Sequence, residues 1–306
     1  MTSGNSGQLP LLIVITGPTG SGKTDLSITV AKTLGCDIIS ADSRQIFRGI
    51  PIGTAVPSPQ QLKDVRHHFV ETLDLDQYYS AAMYEAEVMA LLPSLWQQSP
   101  FAVMCGGSMM YIDAVCRGID DLPTISPQVR SHVMQLYESG GLTALHDTLS
   151  EIDPQYLSQA DPSNHRRLIH AIEITMQAGT PYSSLRTGTV RQRPFQVMKF
   201  AIDMPRPLLF DRINRRVDAM MEAGLLDEAR RVYPMRHLNS LNTVGYKELF
   251  ASFDGTMDLP TAVARIAKNT RVYAKKQLTW LQRDPTVIRI TPETAARDIL
   301  QRIPHH

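Results

Sequence analysis

Residues 11–24 read LLIVITGPTGSGKT and join an apolar run to a glycine-rich turn. The β-branched run at residues 11–16 is typical of a strand that is buried on both faces of a parallel sheet. Residues 17–24 match the pattern GxxxxGK followed by Ser or Thr, and a helical pattern continues to Gly35, where a helix would end. A strand, a glycine-rich turn and a helix in this order are the context in which that pattern forms a phosphate-binding P-loop.

The residues of the P-loop have separate roles in holding an anion. Loop glycines let backbone N–H groups turn inward around a phosphate, and the N-terminus of the following helix adds partial positive charge. Lys23 supplies a full charge, and Thr24 offers a hydroxyl to Mg²⁺ or to a phosphate oxygen. The competing interpretation is an ordinary turn of small residues. The predicted phosphate-binding residues are Gly17, Pro18, Thr19, Gly20, Ser21, Gly22, Lys23 and Thr24.

Further predicted elements place this motif in an α/β fold. Strand-like segments occur at residues 37–40, 101–105, 197–203 and 287–290. Helices are predicted near residues 127–138, 141–150, 162–178, 207–223, 224–233, 243–252 and 259–282, with a polar connection at 180–196. The strand–helix–strand opening favours a P-loop NTPase-like core with a parallel sheet. Residues 123–195 read as a mostly helical inserted domain, which leaves residues 11–122 and 196–306 for the core.

The bulk composition limits the class of protein. The chain has 306 residues, 43% of them hydrophobic, and a formal net charge of +1, so any basic surface must be local. Three cysteines without a CxxC pair indicate reduced thiols in a cytoplasmic protein. The N-terminal segment MTSGNSGQLP reads as a flexible tail rather than a signal peptide. No apolar run approaches the roughly 20 residues that span a bilayer, so no membrane partner is expected.

Asp42 is a second candidate site residue. It lies in SADSRQ at residues 40–45, directly after a predicted strand. Strand C-termini in an open α/β sheet face the ligand crevice, so Asp42 is expected beside the P-loop. A carboxylate there can bind Mg²⁺ or act as a general base. The competing interpretation is an Asx turn or a helix N-cap, which is the commonest use of Asp after a strand.

The helix predicted at residues 259–282 carries many cations. Between residues 263 and 283 there are six cationic residues and no acidic one. Four of them are spaced by three and four and define a basic stripe on one helical face: Arg265, Lys268, Arg271 and Lys275. Such a stripe is typical of a surface that binds a phosphate backbone, although a solvated helix face is the usual alternative. Tyr273 and Trp280 either stack on bases or pack in the core.

Several motifs occur together in one order along the chain. They are GPTGSGKT at residues 17–24, ADSRQIF at 41–47, GGSMMYIDA at 106–114, NHRRLIHAIEI at 164–174, VGYKEL at 244–249 and NTRVYAKKQLTWL at 269–281. This combination resembles the bacterial tRNA dimethylallyltransferase (isopentenyl-pyrophosphate:tRNA transferase) family from residue 11 to about residue 290. Two departures are Ser108, where many members have Thr, and Met109, where the usual residue is Gly.

The resemblance implies a reaction and roles for particular residues. The P-loop would hold dimethylallyl diphosphate with Mg²⁺, and N6 of adenine 37 of tRNA would attack the prenyl carbon and release pyrophosphate. Asp42 matches the general base and Thr24 a catalytic hydroxyl, while Lys23 stabilises the leaving group. Arg216 matches an arginine that clamps the pyrophosphate, with Arg212 and Arg215 as alternatives in the same segment.

The resemblance also implies contacts with the anticodon stem-loop of a tRNA, the expected macromolecular partner of a monomeric enzyme. Residues 42–45, Ser108, Arg130 and the segment 164–168 match family positions near the tRNA, and the cationic helix adds three more. The expected tRNA-binding residues are Asp42, Ser43, Arg44, Gln45, Ser108, Arg130, Asn164, His165, Arg166, Arg167, Leu168, Lys275, Lys276 and Gln277.

Three other functions fit part of the sequence. A small-molecule P-loop kinase explains the P-loop and Asp42, although the strand at residues 101–105 lacks the terminal Asp that usually orients Mg²⁺. A nucleotide-gated RNA-binding protein explains the P-loop and the basic stripe but gives Asp42 no role. An adenylate isopentenyltransferase shares the core chemistry but acts on free AMP or ATP and has little use for a helical insertion.

Overall fold

Six strands form one parallel sheet in the computed structural model, which describes residues 9–304. The strand order is β3-β2-β4-β1-β5-β6, and every neighbouring pair is parallel. Most of the expected N-terminal tail lies outside the described residues. The strands are β1 (Leu11–Thr16), β2 (Ile38–Ala41), β3 (His67–His68), β4 (Phe101–Gly106), β5 (Gln196–Ile202) and β6 (Val287–Ile290).

The centre of the sheet is the apolar run from which the fold was predicted. Strand β1 lies between β4 and β5, with Leu11 opposite Phe101 on one side and Gln196 on the other. Residues 11–15 have no solvent exposure, as expected of a strand covered on both faces. The predicted α/β class with a parallel sheet is confirmed. The bounds of β1 and β6 are those predicted, and β2, β4 and β5 differ by one residue.

Helices connect and cover these strands. They are α1 (Lys23–Leu34), α2 (Pro51–Thr54), α3 (Pro59–Asp64), α4 (Ala81–Trp96), α5 (Met109–Arg117), α6 (Pro127–Ile152), α7 (Pro154–Gln159), α8 (His165–Ala178), α9 (Tyr182–Leu185), α10 (Arg206–Glu222), α11 (Leu225–Val232), α12 (Tyr246–Phe253), α13 (Leu259–Leu281) and α14 (Ala295–Arg302). Among the residues that the structure describes, no helix is both long and apolar enough to cross a membrane.

The chain divides into two compact units. The second unit is Gly118–Arg191, and the first contains the chain before and after it. Sequence reasoning placed the insertion at residues 123–195. The second unit contains α6 to α9 around its own apolar core, whose buried residues include Leu145, Leu149 and Leu168. Gly141 has φ 61° and ψ −148°, which interrupts α6, so the two helices predicted on either side of residue 140 are separate segments.

The described part of the first unit contains two large apolar cores and a smaller cluster that includes Leu209 and Ile213. One core lies between β1, α1 and α14 and contains Ile13, Val30 and Ile299. The other packs α10 to α13 against the segment that follows β2, through residues such as Ile50 and Leu249. The P-loop, Asp42 and Ser108 follow the C-terminal ends of β1, β2 and β4, so these candidate site residues lie at one edge of the sheet.

Candidate active site

The P-loop lies between the end of β1 and the first turn of α1. Gly20 and Gly22 have φ of 84° and 93°, a left-handed conformation that other residues rarely adopt. Gly20 also lies against α10, because a Cβ atom at this position would be 3.1 Å from Cγ1 of Ile213. Lys23 Nζ donates a hydrogen bond to the carbonyl of Pro18 at 2.9 Å. The lysine thus folds back over the loop, close to where an anion would bind.

A cavity of ≈ 380 Å³ with a cationic lining opens at this loop, and we call it the phosphate cavity. Its lining includes Lys23, Thr24, Arg212 and Arg216. Burial lowers the pKa of Lys23 to about 8, and the charge of Arg216 adds to that shift. Cys105 and Asp42 act in the opposite direction. The lowered pKa means that the free protein carries a cation that lacks full solvation, so an anion in the cavity would be strongly attracted.

Arg212, Arg215 and Arg216 of α10 point in different directions. Arg215 is exposed and forms an ion pair with Asp211 on the same helix. Arg212 lies beside the P-loop, because a Cβ atom on Gly22 would be 3.3 Å from its Nη2. Arg216 is half-buried, and burial lowers its pKa while Asp42 opposes that shift. Arg212 and Arg216 therefore face the phosphate cavity and Arg215 does not.

Asp42 lies at the end of β2 with its two carboxylate oxygens in different situations. Oδ1 accepts hydrogen bonds from the backbone N–H of Arg44 at 2.9 Å and of Gln45 at 3.3 Å. This is the Asx turn that competed with the catalytic interpretation. No group within residues 9–304 donates a hydrogen bond to Oδ2. The turn therefore fixes the carboxylate and leaves one oxygen for a proton, so the two interpretations are compatible.

A second cleft of ≈ 360 Å³ contains Asp42 and adjoins the phosphate cavity. Thr19 of the P-loop and Arg216 also line it. An apolar part of its wall comes from α10, α11 and α13, with Ile213, Val217, Met220, Leu225 and Ile266. A polar part comes from the segment before α12 and its start, with Asn242, Thr243 and Lys247. Arg216 lines both spaces, so the cation of the phosphate cavity and the carboxylate of Asp42 border the same volume.

Ser108 joins the turn after β4 to the turn after β2. Its Oγ accepts a hydrogen bond from the backbone N–H of Ser43 at 2.8 Å and donates to Ser43 Oγ at 3.1 Å. Gly106 makes this approach possible, because a Cβ atom there would be 2.1 Å from the carbonyl oxygen of Ala41. The hydroxyl that this chain keeps at position 108 thus shapes the turn that carries Asp42, and both serines line the cleft.

The side chains of Arg44 and Gln45 are directed to different parts of the protein. Arg44 lines the cleft and donates from Nη1 to the carbonyls of Asn239 and Ser240. Gln45 donates from Nε2 to the carbonyls of Thr54 and Ala55, and so secures the end of α2. The side chains of all four residues in this segment have hydrogen-bond partners in the protein, and Gln45 is the one that does not line the cleft.

Helix α13 exposes most of its cationic side chains to solvent and buries the side chain of Gln277. Arg265, Lys268, Lys275 and Lys276 are exposed, whereas Arg271 is half-buried and hydrogen-bonded to Asn214. Gln277 is only 3% exposed, and both ends of its amide are bound to the protein. The side chain of Gln277 is therefore not presented to solvent, unlike those of Lys275 and Lys276. The two aromatic residues are also placed: Tyr273 lines the cleft, and Trp280 donates to Asp113 at 2.9 Å.

The candidate residues of the second unit cluster at the start of α8. Asn164 caps this helix by accepting from the N–H of Arg167, and the ring of His165 stacks on Tyr137 at 5.2 Å. Arg166 and Arg167 are exposed. Leu168 is fully buried in the core of the unit, so its side chain, unlike those of Arg166 and Arg167, is not presented to a nucleic acid.

Arg130 lies elsewhere in the second unit, on α6. It is exposed and forms an ion pair with Glu173 at 3.6 Å. Glu173 is itself buried, and burial raises its pKa while Arg130 lowers it. Arg130 therefore already pairs with an acid of its own unit. A nucleic acid that bound here would compete with Glu173 for the positive charge of Arg130.

A family model described as IPP transferase matches residues 45–284. The chain belongs to this family. It is similar to tRNA dimethylallyltransferase 2 of Parabacteroides distasonis, with 51% identity over 282 residues, which cover 92% of this chain and 94% of that protein. It is also similar to tRNA dimethylallyltransferase 1 of Phocaeicola vulgatus, with 50% identity over 292 residues, which cover 95% of this chain and 97% of the relative.

A solved structure agrees with the family assignment. The tRNA isopentenylpyrophosphate transferase of Bacillus halodurans superposes with a TM-score of 0.69, at 33% identity and with 95% of each chain covered. The resemblance predicted from the motifs and the P-loop NTPase-like fold are both confirmed.

The family motif VGYKEL contributes to the site through buried contacts that sequence reasoning missed. Tyr246 OH donates to Glu228, a carboxylate with no solvent exposure. Glu228 also accepts from the N–H groups of Ile52 and Gly53 at 2.9 and 2.8 Å. These bonds hold α2, and Gly53 lines the cleft. The only signal in the sequence was the motif itself, because the acceptor, Glu228, lies outside it.

Proposed function

We propose that this chain transfers the dimethylallyl group of dimethylallyl diphosphate to N6 of adenine 37 in tRNA and releases pyrophosphate. The observation that carries the proposal is that Arg216 lines both the cationic cavity and the cleft that contains Asp42. A diphosphate held at the P-loop would have its organic group beside the carboxylate. The wall of Ile213, Val217 and Met220 suits a small apolar group.

The proposed chemistry assigns one task to each residue around the two spaces. Asp42 Oδ2 accepts the N6 proton as the new bond between N6 and the prenyl carbon forms. The bond from that carbon to the diphosphate oxygen breaks, and negative charge develops on the leaving pyrophosphate. Lys23, Arg216 and the P-loop N–H groups stabilise this charge. Thr24, which lines the same cavity, would offer its hydroxyl to the diphosphate.

Mg²⁺ is proposed to enter with the diphosphate. When bound it would supply Lewis-acid stabilisation of the leaving group. Thr24 is the residue that would hold it. Among the described residues, no group of three or more His, Cys, Asp or Glu side chains could hold a metal ion. The Thr24 hydroxyl is an oxygen donor, which is the kind of ligand that Mg²⁺ prefers.

The acceptor is proposed to be an adenine that leaves its stack in the anticodon loop. A stacked base hides its exocyclic amine, so enzymes that act on such atoms extrude the nucleotide into a pocket. Ser43, Arg44 and Ser108 line the cleft where the base would enter. The proposed backbone contacts are Lys275 and Lys276 in the first unit and Arg130, Asn164, His165, Arg166 and Arg167 in the second.

Family membership favours this reaction over the alternatives. Relatives that are about half identical over more than nine-tenths of the chain are tRNA dimethylallyltransferases, which argues against a kinase and a binding module without catalysis. An adenylate isopentenyltransferase would need no exposed cations on α13. We also propose a cytoplasmic monomer, because one chain completes both cavities and its three cysteines are free.

The position of the modified base is tested with synthetic anticodon stem-loops. The protein would be incubated with Mg²⁺, dimethylallyl diphosphate and a stem-loop that has adenine or guanine at position 37, and the nucleosides would be analysed by mass spectrometry. We expect one prenylated adenosine from the first RNA and none from the second. Equal prenylation of both RNAs would refute the assignment of position 37.

A further inference from the structure

Gln277 connects two turns of the site from inside the protein. Its Oε1 accepts a hydrogen bond from the backbone N–H of Thr19 in the P-loop at 2.8 Å. Its Nε2 donates to the carbonyl oxygen of Gly107, in the turn after β4, at 2.9 Å. The side chain is 3% exposed, so water does not compete for either bond. One amide therefore spans the gap between the phosphate-binding loop and the turn that carries Ser108.

The contact is shaped for a carboxamide. Thr19 presents a donor and Gly107 an acceptor, so the bridging group needs both an acceptor and a donor at its tip, and glutamine has both. Gly107 also leaves the space, because a Cβ atom at this position would be 2.3 Å from Gln277 Nε2.

Packing fixes the helix that carries this residue. Ala274 is fully buried, and Leu278 packs with it against Leu209 and Ile213 of α10. Gln277 lies between these two positions on α13, and its own backbone is helical. Its amide therefore has a rigid base, which is what a residue needs if it is to hold a loop in place.

The two turns joined by Gln277 lie beside the proposed site of the diphosphate and beside the proposed base, Asp42. Thr19 belongs to the loop proposed to hold the diphosphate, and it lines the cleft. Gly107 precedes Ser108, whose Oγ binds Ser43 beside Asp42. Any change in the distance between these turns would change the distance between the prenyl donor and the proposed base. Reactions between two bound partners are sensitive to displacements of about 1 Å.

We propose that Gln277 is a positioning residue that fixes the P-loop relative to the turn carrying Ser108, and that it is not a tRNA contact. The inference rests on the proposed function, because it assigns Gln277 to the geometry of prenyl transfer. It predicts that Gln277 affects the donor substrate and the rate, while the affinity for tRNA stays unchanged. A residue that contacts tRNA would give the opposite pattern.

Four variants test this inference: Gln277→Ala, Gly107→Ala, the double variant, and Gln282→Ala as a matched control from the exposed end of the same helix. The dissociation constant of dimethylallyl diphosphate would be measured by equilibrium binding, and kcat and both KM values by transfer to tRNA. We expect Gln277→Ala to weaken donor binding about 10-fold, from two lost buried hydrogen bonds, and to lower kcat. The KM for tRNA should stay at the wild-type value, and Gln282→Ala should match the wild type throughout.

The double variant gives the sharper test. A methyl group at position 107 should displace the amide and so weaken donor binding in the wild-type background. Gln277→Ala removes the atom that it would strike, so adding Gly107→Ala to Gln277→Ala should have no further effect. If Gln277→Ala does not fold, Gln277→Met keeps the length of the side chain without the hydrogen bonds, and the same result is expected.

Two outcomes would overturn the inference. One is a raised KM for tRNA with unchanged donor binding in Gln277→Ala, and the other is a double variant whose effects multiply. Failure of the wild-type protein to transfer the prenyl group would refute the proposed function instead. The donor-binding measurements need no turnover and would still decide whether Gln277 positions the P-loop.

Discussion

Asp42→Asn is the substitution that separates the two roles of this carboxylate. Asparagine keeps an oxygen that can accept from the N–H groups of Arg44 and Gln45, so the Asx turn should persist. It replaces Oδ2, the oxygen free to take a proton, with an amide that cannot act as a base. Loss of a general base slows a reaction by roughly 10²–10⁴-fold, and we expect kcat to fall by that factor.

The affinity for dimethylallyl diphosphate should not fall together with kcat. Asp42 raises the pKa of both Lys23 and Arg216, so its charge partly offsets theirs. Removal of that charge leaves the cavity more positive at pH 7. The KM for dimethylallyl diphosphate should therefore stay the same or fall while kcat drops. Asp42→Ala should add a stability loss of about 1 kcal/mol, because the turn loses its acceptor.

The assay is single-turnover transfer of the labelled prenyl group to tRNA, with enzyme in excess over donor. Asp258→Asn is the matched control, because Asp258 is an exposed N-cap that also accepts from a backbone N–H, that of Thr261. The control should react at the wild-type rate. A rate for Asp42→Asn within about threefold of the wild type, far less than a general base contributes, would refute the assignment of Asp42 as the base.

Three further predictions follow from the charges and buried bonds of the first unit. Since burial lowers the pKa of Lys23 to about 8, kcat/KM for the donor should fall as pH rises through that value, because the free enzyme loses the cation; a flat profile from pH 7 to 9 would contradict this. Replacing Lys275 and Lys276 with Gln should reduce the slope of log affinity for tRNA against log salt by roughly 1 to 2, while the exposed Lys63→Gln should not change it. Glu228→Gln should lower the free energy of unfolding by about 2–4 kcal/mol in urea titrations, because the three donors to this buried carboxylate would face an amide; a loss below about 1 kcal/mol would contradict this.

The elements around the P-loop were predictable because local patterns determine them. An apolar β-branched run, a glycine-rich turn and a closing Gly35 each act within a few residues, and β1 and α1 occur where these signals place them. Helix α4 was not predicted. Pro93 lies inside it, and apolar residues occur on most of its surface, so neither the periodicity nor the composition marks a helix clearly.

The motifs could not predict which of their side chains point to solvent and which point into the protein. Lys276 and Gln277 are neighbours in one motif, yet the first is exposed and the second is buried. Successive residues on a helix point about 100° apart, so a motif at the surface also contains residues that face inward. Leu168 and Arg167 differ for the same reason. Only the packing of α13 and α8 against other elements shows which residues of each helix are buried.

Long-range buried contacts were equally beyond the sequence. Glu228 binds the backbone of Gly53 across 175 positions, and Gln277 binds Thr19 across 258. No local pattern links such pairs, because tertiary packing alone brings them together. The two uses of Asp42 were both visible in the sequence, but their coexistence depends on which oxygen each one takes.

The most direct test of the central claim is transfer of radiolabelled dimethylallyl diphosphate in the presence of Mg²⁺, with either unmodified tRNA or free AMP as the acceptor. We predict that label appears in tRNA and not in AMP. Label on AMP would move the chain to the adenylate reaction. Label on neither, together with ATP-dependent phosphate transfer to a small molecule, would contradict the prenyl-transfer account altogether.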